Sequence, residues 1–187
     1  HIWIEKTDMH GSVIFRQLTI HKACEVHPPE KLMEMIIDAH PRGVQLKNSN
    51  GDLPLHIACL ECTSGNIINL LINHYPGGVK VKNSKGKLPL HLACRQWNDV
   101  TLIKNLLVAY SQAAQCADLD GLLPIHFACE EELDVDIIKH LVFAFPDGVG
   151  MKDRWGRTPL CIITRKYESK GNQDNMIDSD NDEKKKK

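Results

Sequence analysis

The chain carries almost no net charge: 23 lysines and arginines face 24 aspartates and glutamates. A general attraction to nucleic acid or to an anionic membrane needs a strong basic excess, so neither is expected as a partner. Long apolar runs are missing too. The longest notable one, Leu141 to Phe145, falls far short of the roughly 18 residues that a membrane span needs. The opening HIWIEKTDMHG lacks the basic-then-apolar layout of a signal peptide and lacks an initiator methionine, so it is read as the start of a fragment. Catalytic signatures are also absent: there is no G-x-S-x-G, no P-loop and no H-E-x-x-H. Neither an enzyme nor a cofactor is expected.

What the chain does have is one string at a fixed interval. LPLHIAC begins at Leu53, LPLHLAC at Leu88 and LPIHFAC at Leu123, each step being 35 residues. One step further lands on Thr158 and TPLCIIT; one step back lands on Leu18 and LTIHKAC. Self-similarity at such a period means stacked supersecondary units. Four of the seven cysteines (Cys24, Cys59, Cys94 and Cys129) recur at this period, which points to packing. Their thiols are expected to be free, in an intracellular, reducing compartment, cytoplasmic or nuclear.

Each unit reads hairpin, helix, helix. NSNG, NSKG, DLDG and DRWG open the four units from Asn48, Asn83, Asp118 and Asp153, with Asn or Asp first and Gly fourth, as a type I turn prefers. Pro54, Pro89, Pro124 and Pro159 then suit the first turn of a short inner helix. An outer helix follows a polar link. Its apolar residues (Leu32, Met33, Ile36 and Ile37 in the first unit; Leu102, Ile103, Leu106 and Leu107 in the third) are spaced for one helical face. HPRGV, HYPGGV and FPDGV stop the outer helices, and YSQAA takes that place in the third unit. A unit of this size buries its faces only against neighbours, so stacking is obligatory.

The pattern G-x-x-P-L-H-x-A runs through Gly51, Pro54, Leu55, His56 and Ala58; through Gly86, Pro89, Leu90, His91 and Ala93; and through Gly121, Pro124, Ile125, His126 and Ala128. In this the chain resembles the ankyrin-repeat family over about residues 16 to 167. The resemblance implies an all-α solenoid of helix–turn–helix units with projecting β-hairpin loops. It departs from the family in three ways. Leu53, Leu88 and Leu123 stand where the family has a helix-capping Thr, kept only at Thr158. Leu is a poor cap, so that hydrogen bond must be supplied otherwise or lost. The period is 35 rather than the usual 33. The end units are imperfect, with Arg16 for Gly and Thr19 for Pro in the first and Cys161 for His in the last.

The expected organisation is an N-terminal fragment at 1–15, read as a degenerate repeat with Trp3 and Ile4 covering the first helix pair. An array follows at 16–167, with units at 16–47, 48–82, 83–117, 118–152 and a partial 153–167. Residues 168–187 read as a disordered polar tail. The closing Lys184 to Lys187 are either a solvated end or part of an import signal.

The sharpest chemical alternative is metal. His21/Cys24, His56/Cys59, His91/Cys94 and His126/Cys129 are each H-x-x-C on a helix, two ligands on one face. Zinc wants four, and the neighbouring unit would have to supply the rest. The competing reading has His bonding backbone in the hairpin and Cys as a small core residue. Cys59 and Cys62 form a C-x-x-C with no second half and no βαβ setting. A third reading makes the chain a targeting arm of a larger enzyme.

The resemblance implies instead a non-catalytic scaffold whose concave face, of hairpin tips and inner-helix ends, binds a protein while the array stays monomeric. The tip residues are Ser49, Asn50 and Asp52; Ser84, Lys85 and Lys87; Leu119, Asp120 and Leu122; and Arg154, Trp155 and Arg157. The helix ends add Leu60 and Glu61, Arg95 and Gln96, and Glu130 and Glu131. These vary between units over a uniform frame. Their charges are banded, basic in the third unit, acidic in the fourth and basic in the fifth, a mosaic that favours a protein partner. Leu119, Leu122 and Trp155 are apolar residues on otherwise polar tips; Trp155 is expected either as an anchor, since interface hot spots are rich in Trp, or folded back onto the next unit or the tail.

Overall fold

In the computed structural model, residues 3–7, 9, 13–61, 63–96 and 98–168 are described. Two antiparallel strands, β1 (Trp3–Thr7) and β2 (Val13–Leu18), come first, with Trp3 opposite Leu18. The described residues ahead of the first helix thus include a strand pair. Helices then alternate, inner and outer: α1 (Thr19–Val26) and α2 (Glu30–Ala39), α3 (Pro54–Leu60) and α4 (Gly65–His74), α5 (Pro89–Gln96) and α6 (Val100–Ala109), α7 (Pro124–Glu130) and α8 (Val135–Ala144). A ninth helix, α9, covers residues 159–168. Trp97, Cys62 and residues 169–187 lie outside the described residues, and with them the C-x-x-C pair and the lysine run. Among the described residues no helix is long and apolar enough to cross a membrane.

Inner helices stack on one another, α1 on α3, α3 on α5 and α5 on α7, and each packs on its own outer helix. Ala58 and Cys59, Ala93 and Cys94, and Ala128 and Cys129 are all buried at these contacts. Their small side chains are what let the helices lie close. The outer helices bury the expected residues: Ile67, Ile68 and Leu71 in α4, all four in α6, Ile137 and Leu141 in α8.

The start of the array differs. Leu32 is 47% exposed, whereas its counterpart Ile67, one period on, is 1% exposed. The face that each later unit buries against its predecessor is open here. It forms a groove of about 340 Å³ lined by Leu32, Met35, Ile36 and Gly43 among others.

After each outer helix comes a one-and-a-half-turn 3-10 helix: Pro41–Gln45, Pro76–Lys80, Ser111–Gln115 and Pro146–Gly150. Ser111–Gln115 folds like the others without Pro or Gly. What the site requires is a small residue, because a Cβ at Gly78 meets Tyr75 at 3.1 Å and Leu55 at 3.4 Å, and Ala113 fills the same place.

Each hairpin turn is held by the side chain of its first residue. Asn83 Oδ1 accepts from Lys85 N at 3.0 Å and from Lys87 N at 2.9 Å; Asp118 and Asp153 do the same in their turns. This is why Asn or Asp recurs there. Successive tips are then tied by backbone: Ser84 N donates to Asn50 O, Leu119 N to Lys85 O, and Arg154 N to Asp120 O, at 2.9–3.1 Å. The tip glycines have positive φ, and a Cβ on Gly51 would lie 2.7 Å from Ser84 N. Glycine there serves both the left-handed turn and the close approach of the next tip.

Candidate partner-binding face

The site is built on the four histidines, because they set where each hairpin sits relative to its helix. His56 Nδ1 accepts from the N–H of Leu53, the residue that starts its helix, at 3.1 Å. His21, His91 and His126 repeat this with Leu18, Leu88 and Leu123 at 3.0–3.1 Å. The imidazole thus holds the backbone N–H of the residue just before the helix, while the bond from a helix N–H that a Thr side chain would accept is not made at Leu18, Leu53 or Leu123. With Nδ1 accepting, Nε2 carries the proton and donates to the base of the next hairpin: His21 to Asp52 O, His56 to Lys87 O, His91 to Cys116 O and His126 to Met151 O, at 2.9–3.2 Å. All four rings are buried. Burial pulls His56 and His91 down to about 4 and lowers His21 and His126.

Both nitrogens of each ring are thus taken by backbone. The partner cysteines are buried, and burial raises Cys24 to about 12, Cys129 to about 11 and Cys94 as well, so these thiols are poor thiolate donors. Among the described residues no group of three or more His, Cys, Asp or Glu is placed to hold a metal ion.

The outer helices α4, α6 and α8 are capped by side chains that precede them, whereas Pro29 before α2 makes no such bond. Asp99 Oδ1 accepts from Thr101 N and Leu102 N, Asp134 Oδ1 from Asp136 N, and Ser64 Oγ from Asn66 N. The signal was there: Ser or Asp just before an apolar helical run. The link between helices also holds its extra residue in one register. His27 and Glu132, three periods apart, both have positive φ, 52° and 54°.

On this frame the structure brings Ser49, Asn50, Asp52, Leu60, Ser84, Lys85, Lys87 and Arg95 around one groove of about 270 Å³, floored by Leu92. Ser49, Asn50, Glu61, Ser84, Lys85, Arg95, Gln96 and Glu131 are exposed, and Leu60, Asp120 and Glu130 half-buried. Leu119 and Trp155 project from their tips, 73% and 58% exposed.

Three expected surface residues are corrected. Leu122 is only 6% exposed and belongs to the core. Asp52 is buried, and its carboxylate accepts from Asn83 Nδ2 of the next tip at 2.7 Å. Lys87 has a side chain only 12% exposed; its ammonium pairs with Asp118 at 3.0 Å and sits 4.0 Å from the centre of the Phe127 ring. All three are the residue after the turn glycine: Asp52 and Lys87 reach the following hairpin, and Leu122 joins the core.

The charge bands are likewise partly consumed internally. Arg154 pairs with Asp120 at 2.6 Å, Arg157 with Asp153 at 2.7 Å, and Lys166 with Glu132 at 3.8 Å. Trp155 lies beside the Arg154 and Arg157 guanidiniums, 5.6 Å and 4.9 Å from its ring centre.

No curated protein is a match for the chain. A family model described as ankyrin repeats (3 copies) matches residues 20–115, just over half of the sequence. The match takes in α1 to α6, with three of the histidine-capped inner helices. The chain belongs to the ankyrin-repeat family.

Proposed function

We propose that the chain is a non-catalytic scaffold that binds a protein partner on the face made by its hairpin tips and inner-helix ends. Ankyrin repeats are generally protein–protein interaction modules. The observation that carries the placement is the uniform frame under non-uniform tips. The histidine and Asx bonds recur unit after unit, while the third residue of the tip runs Asn50, Lys85, Asp120 and Trp155, different in every unit. A rigid scaffold with a varied, water-facing edge is suited to specific recognition with little loss of conformational freedom on binding. Units at 16–47, 48–82, 83–117, 118–152 and 153–167 form part of this reading, as does a monomeric array.

The test is affinity capture with two variants matched in folding by circular dichroism. One changes Leu119 and Trp155 to Ser and Arg95 to Glu. The other changes Val108 and Phe143, exposed on the outer helices, to Ser. Loss of a partner in the first variant alone supports the reading; loss in the second alone contradicts it.

A further inference from the structure

We propose that the groove between the second and third hairpins takes an acidic, leucine-like stretch of a protein partner, a carboxylate lying beside an aliphatic side chain. This rests on the tip face being the binding face. The groove brings together two cations that have no ion pair among the described residues. Lys87, Arg154, Arg157 and Lys166 are each matched by a carboxylate within the chain. Lys85 and Arg95 both line the groove, are exposed, and have no ion pair among the described residues.

Asp52 also lines the groove and feels the charge of Lys85 without forming an ion pair with it. Asp52 is turned to Asn83, and burial raises its pKa. The floor is apolar, from Leu60 and Leu92, and the rim is short and neutral, from Ser49, Asn50 and Ser84. The two units that follow differ at the matching positions. The tips that follow carry Leu119 and Trp155, and Lys87 fills the equivalent space over Phe127. Two cations on a partly desolvated aliphatic floor suit a monoanionic side chain with an apolar neighbour. Nucleic acid would need a longer basic track than two residues provide.

The test uses a fluorescein-labelled peptide of alternating glutamate and leucine, a lysine–leucine peptide of the same length, and a labelled single-stranded oligonucleotide. Binding is read by fluorescence anisotropy. The expected result is saturable binding of the glutamate peptide alone. It should weaken at least tenfold in K85E/R95E and hold in K31E/K104E, which makes the same change of net charge on exposed outer-helix lysines. No binding to the parent chain, equal weakening in both variants, or equal binding of either other probe would overturn the proposal. Failure here together with capture that still depends on Leu119 and Trp155 would overturn the acidic groove and leave the tip face standing. Failure of both would remove the tip face as well.

Discussion

The Nε2–H of His91 donates to the carbonyl of Cys116 at 2.9 Å, while the other ring nitrogen accepts from the N–H of Leu88, just ahead of the helix on which His91 itself stands. One imidazole thus fastens an inner helix to the segment leading into the next hairpin. Replacing His91 with Ala leaves the Leu88 N–H and the Cys116 carbonyl buried without their partner. Each orphaned group costs about 1–3 kcal/mol. The expected loss is about 2–5 kcal/mol in urea unfolding. A change below about 1 kcal/mol would show that the bridge is not what holds the units.

The same burial predicts a pH dependence. His56 and His91 stay neutral in the folded chain down to about pH 4. Once unfolded they take up protons near pH 6.5. Between those values the unfolded state binds protons that the folded state refuses, so stability falls as pH falls. The slope is up to about 1.4 kcal/mol per pH unit for each histidine. Above pH 6.5 and below pH 4 these two groups leave stability level. Denaturant melts from pH 7.5 to 4 should show the decline, and H91Q should show a shallower one.

Thiol chemistry should separate the cysteines sharply. Cys161 is exposed at the start of α9, where hydrogen bonding with Thr158 lowers its pKa. Cys24, Cys59, Cys94 and Cys129 are buried. Iodoacetamide at neutral pH, read by peptide mass mapping, should modify Cys161 promptly and those four only on unfolding.

The turn residues make a paired prediction of opposite sign. Gly86 has φ 74°, and a Cβ there would lie 2.9 Å from Leu119 N. G86A should cost about 2 kcal/mol or more, from left-handed strain plus displacement of the next tip. Glu132 is left-handed without being glycine, and its ion pair with Lys166 is long and exposed at 3.8 Å. E132G should gain roughly 0.5–1 kcal/mol. Thermal melts of the two variants check both signs.

The repeat, the inner helices and the outer-helix faces were legible because the 35-residue period lays equivalent residues over one another. The role of His was half legible: the sequence set bonding to hairpin backbone against a metal pair with Cys, and only the position of the preceding Leu N–H shows which atom Nδ1 serves. The residue after each turn glycine was misread. Asp52, Lys87 and Leu122 look like tip residues in sequence, but Asp52 and Lys87 bond to the next hairpin and Leu122 is buried in the core. Strand β2 was missed because the first unit carries Arg16 and Thr19 where the turn glycine and helix proline would mark a unit.

The most direct measurement is photo-crosslinking with benzoylphenylalanine placed singly at Lys85, Leu119, Val108 and Phe143 in the full chain. If the tip face binds the partner, the same protein should crosslink from positions 85 and 119 and not from 108 or 143. Crosslinks from 108 and 143 alone would contradict the account and place the partner on the outer helices.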